Sequence, residues 1–297
     1  MTYQQIKGKV LIMTVKQVMV VGAGQMGAGI ALVFARSGYQ VQLYDNNKEA
    51  LERGKQYIEN IFNKDIAKGK METDSKREAM ERLQVVGELD EKPLTADFII
   101  EAVVENLEVK QEVFRKLDKL APEHTIFATN TSSLPITEIA AVTKRAEQFI
   151  GMHFMNPVPV MKLVEIIRGL ETSEATYQTV KDLTEALGKQ DVEVKDFPGF
   201  VSNRVLMPMI NEAVYTVFEG IASIEDVDQV MKLGMNHPMG PLQLADFIGL
   251  DTCLSIMEIL YDGFGDSKYR PCPLLRQYVQ AGRLGKKTGR GFYTYSD

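Results

Sequence analysis

Four side chains and one glycine run carry the residue types and spacing for chemistry. His153 follows the apolar run Phe149-Ile150-Gly151-Met152, and Glu165 lies twelve residues later inside a second apolar run, Val164 to Ile167. An imidazole titrates near neutrality, so it can take the proton of a carbinol hydroxyl while the carbon gives a hydride to an acceptor. A carboxylate in an apolar strand is costly unless it meets a donor, and the His153 ring would serve. Paired in this way, the acid would fix the tautomer of the base and stabilise its imidazolium. Spacing alone equally admits a satisfied core histidine. The remaining histidines, His124 in Pro122-Glu123-His124 and His237 in Asn236-His237-Pro238, stand in turns and read as structural.

Ser132 and Ser133 follow Thr129-Asn130-Thr131 at a strand end, where a hydroxyl could hold a substrate oxygen. One of them could instead cap the helix expected near Pro135; Ser133 is the better placed for that, which leaves Ser132 the freer. Asn203 opens the helix after Pro198-Gly199, either as a plain polar residue of the first turn or as an amide turned into a cleft. The pattern does not choose.

The glycine run is Gly22-Ala23-Gly24-Gln25-Met26-Gly27, preceded by the β-branched run Gln17 to Val21 and followed by a helical segment. Glycines at this spacing permit a tight turn, let backbone N–H groups approach a pyrophosphate, and allow close helix–strand packing. The expected ligand is a dinucleotide. Asp45 ends the next strand, eighteen residues after Gly27. An acid there accepts ribose hydroxyls and repels a 2′-phosphate, which favours NAD over NADP. Lys48 nearby leaves room for some NADP tolerance, and the alternative reading of Asp45 is an ordinary turn aspartate.

These residues need a scaffold, and the chain supplies one. Strand-like runs at 17–21, 41–44, 98–100, 126–128 and 149–152 alternate with helical segments at 30–36 and 107–120. Two more, at 164–167 and 192–194, flank a helix over 173–187. Such alternation predicts an α/β fold: a Rossmann-type doubly wound sheet over residues 13–198, interrupted by a charged helical pair at about 48–82 hinged near Gly69. Ligands of such sheets bind at the carboxyl ends of the strands, where His153 stands. After Pro198-Gly199 the pattern turns helical, at 201–219, 224–233 and 253–260, which predicts a second, all-helical domain over 199–297. Residues 1–12 read as an extension without a role.

Composition narrows the function. The 297 residues are 45% hydrophobic and 25% charged, an ordinary globular balance. A net charge of −6 and a pI near 5.3 argue against nucleic acid as a partner. Two cysteines, Cys253 and Cys272, lack disulfide-framework or zinc spacing, and no targeting or membrane segment is visible, so a cytoplasmic protein is expected.

Taken together, five motifs resemble the L-3-hydroxyacyl-CoA dehydrogenases, and most closely the bacterial 3-hydroxybutyryl-CoA dehydrogenases. They are Gly22 to Gly27, Asn130-Thr131-Ser132-Ser133-Leu134, His153 to Pro159, Pro198 to Arg204, and Asn236 to Pro241. The resemblance runs from about Val18 to Tyr295. It implies NAD-linked interconversion of (S)-3-hydroxyacyl-CoA and 3-oxoacyl-CoA, with His153 as acid–base and Glu165 as its partner. It implies further that Ser132 and Asn203 hold substrate. Gly22, Gly24, Gln25, Met26, Gly27, Asp45, Glu105, Lys110, Asn130, Ser132, Asn156 and Lys287 would contact the dinucleotide. Lys64 and Lys68, one helical turn apart, would face the phosphates of coenzyme A, and the helical domain would form a homodimer. Two competing readings remain from the residues themselves: a dehydrogenase of free 3-hydroxyacids, and a non-catalytic NAD-binding protein.

Overall fold

The computed structural model describes residues 3–5, 11–89 and 94–295. The chain divides into two compact units, Met1–Asp196 and Phe197–Asp297.

In the first unit, β1 (Tyr3–Gln5) and β2 (Leu11–Met13) pair as a separate antiparallel hairpin. The main sheet has eight strands among the described residues: β3 (Gln17–Val21), β4 (Gln40–Tyr44), β5 (Leu83–Val86), β6 (Phe98–Glu101), β7 (Ile126–Thr129), β8 (Phe149–Phe154), β9 (Leu163–Arg168) and β10 (Gln190–Lys195). Their order is β10-β9-β8-β7-β6-β3-β4-β5. Chain order reverses direction between β3 and β6, which opens a crevice at their carboxyl ends. The predicted doubly wound sheet is therefore what forms.

The central strands β6, β7 and β8 are buried along their whole length, so they read as continuous apolar runs rather than alternating ones. Helix α1 (Gln25–Arg36) buries a continuous stretch from Gly27 to Ala35 against the sheet and stops where Gly38 takes a φ of 95°. The charged segment forms α2 (Lys48–Ala67), capped by the Asn47 side chain, and α3 (Thr73–Glu81). Gly69, at φ 65°, lies in the turn between them, where a hinge was expected. Helix α4 (Leu107–Leu120) and helix α6 (Glu174–Ala186) follow the expected limits closely.

Three features depart from the sequence reading. Strand β5 was not foreseen, because Leu83-Gln84-Val85-Val86 is short, lies at the sheet edge and buries none of its residues fully. Strand β9 runs antiparallel to β8, whereas the other neighbours in the sheet are parallel. The connection from Met155 to Lys162 is too short for a crossover helix, so the chain can only turn back. Finally, Ser133 is not the cap of α5 (Ile136–Ala140). Asp196, at the end of the unit, accepts from the N–H groups of Ile136 and Thr137 at 2.9 and 2.8 Å.

The second unit is helical, with α7 (Ser202–Phe218), α8 (Ile224–Gln229), α9 (Pro241–Ile248), α10 (Leu250–Phe264) and α11 (Pro273–Gln280). A π-helical turn, Val230–Gly234, extends α8. Met207, Ile210, Val214, Leu242, Leu250 and Leu260 centre its core. Asp246 and Asp228, both buried, hold the carboxyl-terminal segment: Asp246 accepts from the backbone of Phe292 and Tyr293 and from the Tyr295 hydroxyl, and Asp228 from the Tyr293 hydroxyl.

Candidate active site

The glycine run forms the turn its spacing requires. Gly22 has a φ of 106°, and a Cβ on it would meet the Ala102 carbonyl at 2.6 Å, so β3 and β6 approach here only through glycine. A Cβ on Gly27 would lie 1.7 Å from the Gly22 carbonyl oxygen. Gly24 is different: a Cβ there would touch no protein atom within 4 Å. It caps α1 without a side-chain acceptor, and the first turn of the helix carries no acid of its own, so the positive end of the helix suits an anion.

Beside it runs a groove of about 500 Å³ lined by Gly22, Gly24, Tyr44, Asp45, Val103 and Val109, among others. An open glycine, a bare helix N-terminus and an acid at the end of β4 fit the pyrophosphate and ribose of NAD. Asp45 also shapes the turn itself, since its two oxygens accept from the N–H groups of Ala23 and Asn47 at 2.8 and 2.9 Å. Gln25 donates to Asn156 at 3.2 Å, which links the glycine run to the turn after His153. Met26 is half-buried against the core.

His153 and Glu165 face each other across the antiparallel pair, in register, with Nδ1 and Oε2 2.8 Å apart. Their residues are 7% and 2% exposed, so the pair is held out of water. An ionised carboxylate only accepts, which assigns the Nδ1 proton to His153 and leaves Nε2 with a lone pair when the ring is neutral. Asn130 braces the same strand end, its Oδ1 accepting from Phe154 N at 2.9 Å. The Lys189 ammonium, buried beneath the 156–161 turn, donates to the carbonyls of Val158 and Met161. Burial, and then the Arg36 charge, hold the Lys189 pKa below its ordinary value.

Ser132 lies in a turn organised by Glu105. Glu105 Oε1 accepts from Thr131 Oγ1 at 2.6 Å and from Ser132 N at 2.8 Å, and from both N and Oγ of Ser133 at 3.2 Å. Lys110, only 1% exposed, donates to Glu101 Oε1 at 2.7 Å and stands 3.4 Å from Glu105 Oε2. Glu101, fully buried, also accepts from Thr129 Oγ1 and Val103 N. Burial raises its carboxyl pKa, and the Lys110 charge opposes that rise. Glu101 was missed by the sequence reading. A signal existed: an acid ending the apolar run Phe98-Ile99-Ile100 raises the same question as the acid at 165.

The other expected site residues occupy separate places. Lys64 lies in the last turn of α2 and Lys68 caps it, both exposed and one turn apart. In the second unit, Asn203 is buried in the first turn of α7. The Lys287 ammonium pairs with Asp251 at 2.6 Å. His124 lies 3.4 Å from Asp97, at the opening end of β6 rather than its carboxyl end. Among the described residues, no cluster of His, Cys, Asp and Glu could hold a metal ion, and no helix is long and apolar enough to cross a membrane.

Residues 17–197 match the family model of the 3-hydroxyacyl-CoA dehydrogenase NAD-binding domain, and residues 199–295 match that of the same family's C-terminal domain. The chain belongs to the 3-hydroxyacyl-CoA dehydrogenase family. As a member it is an NAD-dependent oxidoreductase. It is 61% identical to a probable 3-hydroxybutyryl-CoA dehydrogenase of Bacillus subtilis, over 96% of this chain and 99% of that one. It is 45% identical to the mitochondrial hydroxyacyl-coenzyme A dehydrogenase of Homo sapiens, over 95% of this chain and 91% of the other. The crystal structure of (S)-3-hydroxybutyryl-CoA dehydrogenase from Ralstonia eutropha superposes with a TM-score of 0.93 at 48% identity, over 96% of this chain and all of that one.

Proposed function

We propose that this dehydrogenase interconverts (S)-3-hydroxybutyryl-CoA and acetoacetyl-CoA, with His153 as acid–base. The observation that carries the reading is the buried 2.8 Å contact between His153 Nδ1 and Glu165 Oε2. NAD, when bound, supplies the acceptor for the hydride that leaves C3 of the substrate.

The chain's own residues do the rest. Nε2 of His153 takes the C3 hydroxyl proton in oxidation and returns it in reduction. Glu165 stabilises the imidazolium between those events, because a charge-assisted hydrogen bond strengthens as the ring gains its proton. The Ser132 hydroxyl and the Asn203 amide hold substrate oxygens, and Lys64 and Lys68 meet the coenzyme A phosphates. Asp45 receives ribose hydroxyls, and Gly22 to Gly27 with the start of α1 cradle the pyrophosphate. Glu105, Lys110, Asn130, Asn156 and Lys287 complete the dinucleotide side. A homodimer through the helical unit is part of the same reading, supported by apolar side chains left exposed there, among them Leu233, Ile221 and Val205 at 81, 70 and 66%.

The test is NADH oxidation with acetoacetyl-CoA, longer 3-oxoacyl-CoAs and free acetoacetate, repeated with NADPH and with Lys64→Glu/Lys68→Glu. Acetoacetyl-CoA with NADH should be the preferred pair. The double variant should raise KM for the thioester by about thirtyfold, at about 1 kcal/mol for each of the two lost phosphate contacts, and leave kcat near wild type. A preference for free acetoacetate would overturn the choice of substrate. Sedimentation at micromolar concentration reads the dimer directly.

A further inference from the structure

Lys189 is a buried cation that the acid–base chemistry does not use. It immediately precedes β10, is 9% exposed, and donates from its ammonium to the carbonyls of Val158 and Met161 in the turn between β8 and β9. The backbone beside it takes a third carbonyl of the same turn, with Gln190 N donating to Lys162 O at 2.8 Å. Among the described residues these carbonyls are its polar partners, and the charge that acts on the ammonium is the like charge of Arg36. A cation buried without a counter-ion costs stability, and an apolar side chain would fill the space at less cost, so packing does not account for it. What it holds is a turn with little core of its own. Of residues 155–162 only Val158 is buried, and it packs on α1 so closely that a Cβ added to Gly29 would stand 3.0 Å from the Val158 Cβ. Asn156 Oδ1 accepts from Gln25 Nε2, in the first turn of the same helix, at 3.2 Å. The turn is thus fixed at two places, on α1 through Asn156 and Val158 and on Lys189 through Val158 and Met161.

We infer that Lys189 is a positioning residue for Asn156, seating the 156–161 turn on α1 and so setting the dinucleotide side of the site. This rests on the reading of Asn156 as a dinucleotide contact. Asn156 is exposed, so its place is set by the backbone of its turn rather than by packing around its side chain. That backbone is closed by Val160 N and Met161 N, both donating to Pro157 O at 3.0 Å. Hydrogen bonds from an ionised donor are the strong ones, which makes the ammonium the firmest polar tie on the turn. His153 and Glu165 are held differently, by the rungs of the β8–β9 pairing, where Gly151 faces Ile167 and Phe154 faces Val164. The effect of Lys189 should therefore fall on cofactor affinity and leave the acid–base pair in place.

The experiment uses the whole enzyme with Lys189→Met, Lys189→Gln, Asn156→Ala and the double variant Lys189→Met/Asn156→Ala. The NADH dissociation constant and stoichiometry, kcat and KM for acetoacetyl-CoA at saturating NADH, and amide exchange at Val160 and Met161 are measured on each. Lys189→Met should weaken NADH binding by about tenfold and quicken exchange at 160 and 161 by about tenfold, with kcat and the thioester KM within about threefold of wild type. Lys189→Gln, which keeps an N–H donor without the charge, should show the same split at about fivefold, and it carries the test where Lys189→Met does not fold. Asn156→Ala should weaken NADH binding by about tenfold, and the double variant should fall within about threefold of it, because two residues acting through one contact are not additive. A merely structural lysine would lower kcat or the number of NADH sites and leave the affinity of the remaining sites unchanged. That result, or multiplicative losses in the double variant, would overturn the assignment. Wild-type affinity or unchanged exchange in the folded Lys189 variants, beside a weakened Asn156→Ala, would overturn the positioning role alone. Wild-type affinity in Asn156→Ala would instead remove the reading of Asn156 itself, and the positioning role with it.

Discussion

Replacing Glu165 by Gln tests the acid–base pair with the least disturbance of shape. The carboxamide is isosteric, so the 2.8 Å hydrogen bond to His153 Nδ1 can survive while its charge is lost. The loss should be small for a neutral ring and large for an imidazolium. At an effective dielectric of about 20 the attraction between unit charges about 4 Å apart is about 4 kcal/mol. The net value of a hydrogen bond to a charged group is about 1.5–3 kcal/mol, which sets the lower end. Glu165 is 2% exposed and His153 7%, so solvent does little to screen either. A loss of about 2–4 kcal/mol corresponds to a fall in kcat/KM of about thirty- to a thousandfold. The assay is NADH oxidation by acetoacetyl-CoA under steady state, with NADH affinity followed by its fluorescence. Affinity should change less than about threefold, because no dinucleotide-facing group is touched. A folded variant with kcat/KM within about fivefold of wild type, or one whose NADH affinity falls as far as its turnover, would refute the pairing argument.

The glycines give a contrast in kind. Gly24→Ala should leave the melting temperature within about 2 °C, since the new methyl meets no protein atom within 4 Å, yet weaken NADH binding by about tenfold or more. Gly27→Ala places the methyl 1.7 Å from a carbonyl oxygen and should cost about 3 kcal/mol or more of stability, read by urea unfolding. Cys253 and Cys272 are 1% and 0% exposed, and burial pushes the Cys253 thiol up to about 12. Neither should react with a disulfide reagent at pH 8 until urea unfolds the chain, and prompt labelling of the native enzyme would contradict the buried positions. Asp246→Ala leaves the backbone of Phe292 and Tyr293 without an acceptor and should destabilise the helical unit by about 2–4 kcal/mol, seen as early proteolysis of the carboxyl-terminal segment.

What the sequence disclosed and what it withheld divide along a physical line. The strand–glycine–helix unit was legible because each part is local: an apolar run, a turn only glycine permits, and a helix closed by Gly38. His153 and Glu165 were legible as a pair because a carboxylate in an apolar strand needs a partner, although the antiparallel register that joins them was not. Asp196 escaped notice as the cap of α5 because it lies sixty residues from Ile136, and Ser133, the local candidate, proved to be committed to Glu105. Glu105 entered only through the family resemblance, as a dinucleotide contact, and nothing in its neighbourhood of the chain points to the hydrogen bonds it also receives from residues 131–133. Contacts between loops at one sheet edge depend on strand order, and that order is not carried by any single segment.

The antiparallel turn between β8 and β9 has a consequence for how this chemistry could be lost or transplanted. Paired residues on the two strands obey a fixed sum, with Gly151 opposite Ile167 and Met152 opposite Ile166 as His153 is opposite Glu165. A slip of one rung would set Val164 or Ile166 against the imidazole and turn the carboxylate to the other side of the sheet. The acid–base pair is therefore encoded by parity as much as by identity. Insertions in the 155–162 turn should be tolerated for as long as the rungs stay in phase, and a single-residue deletion within either strand should abolish the pair with both residues still present.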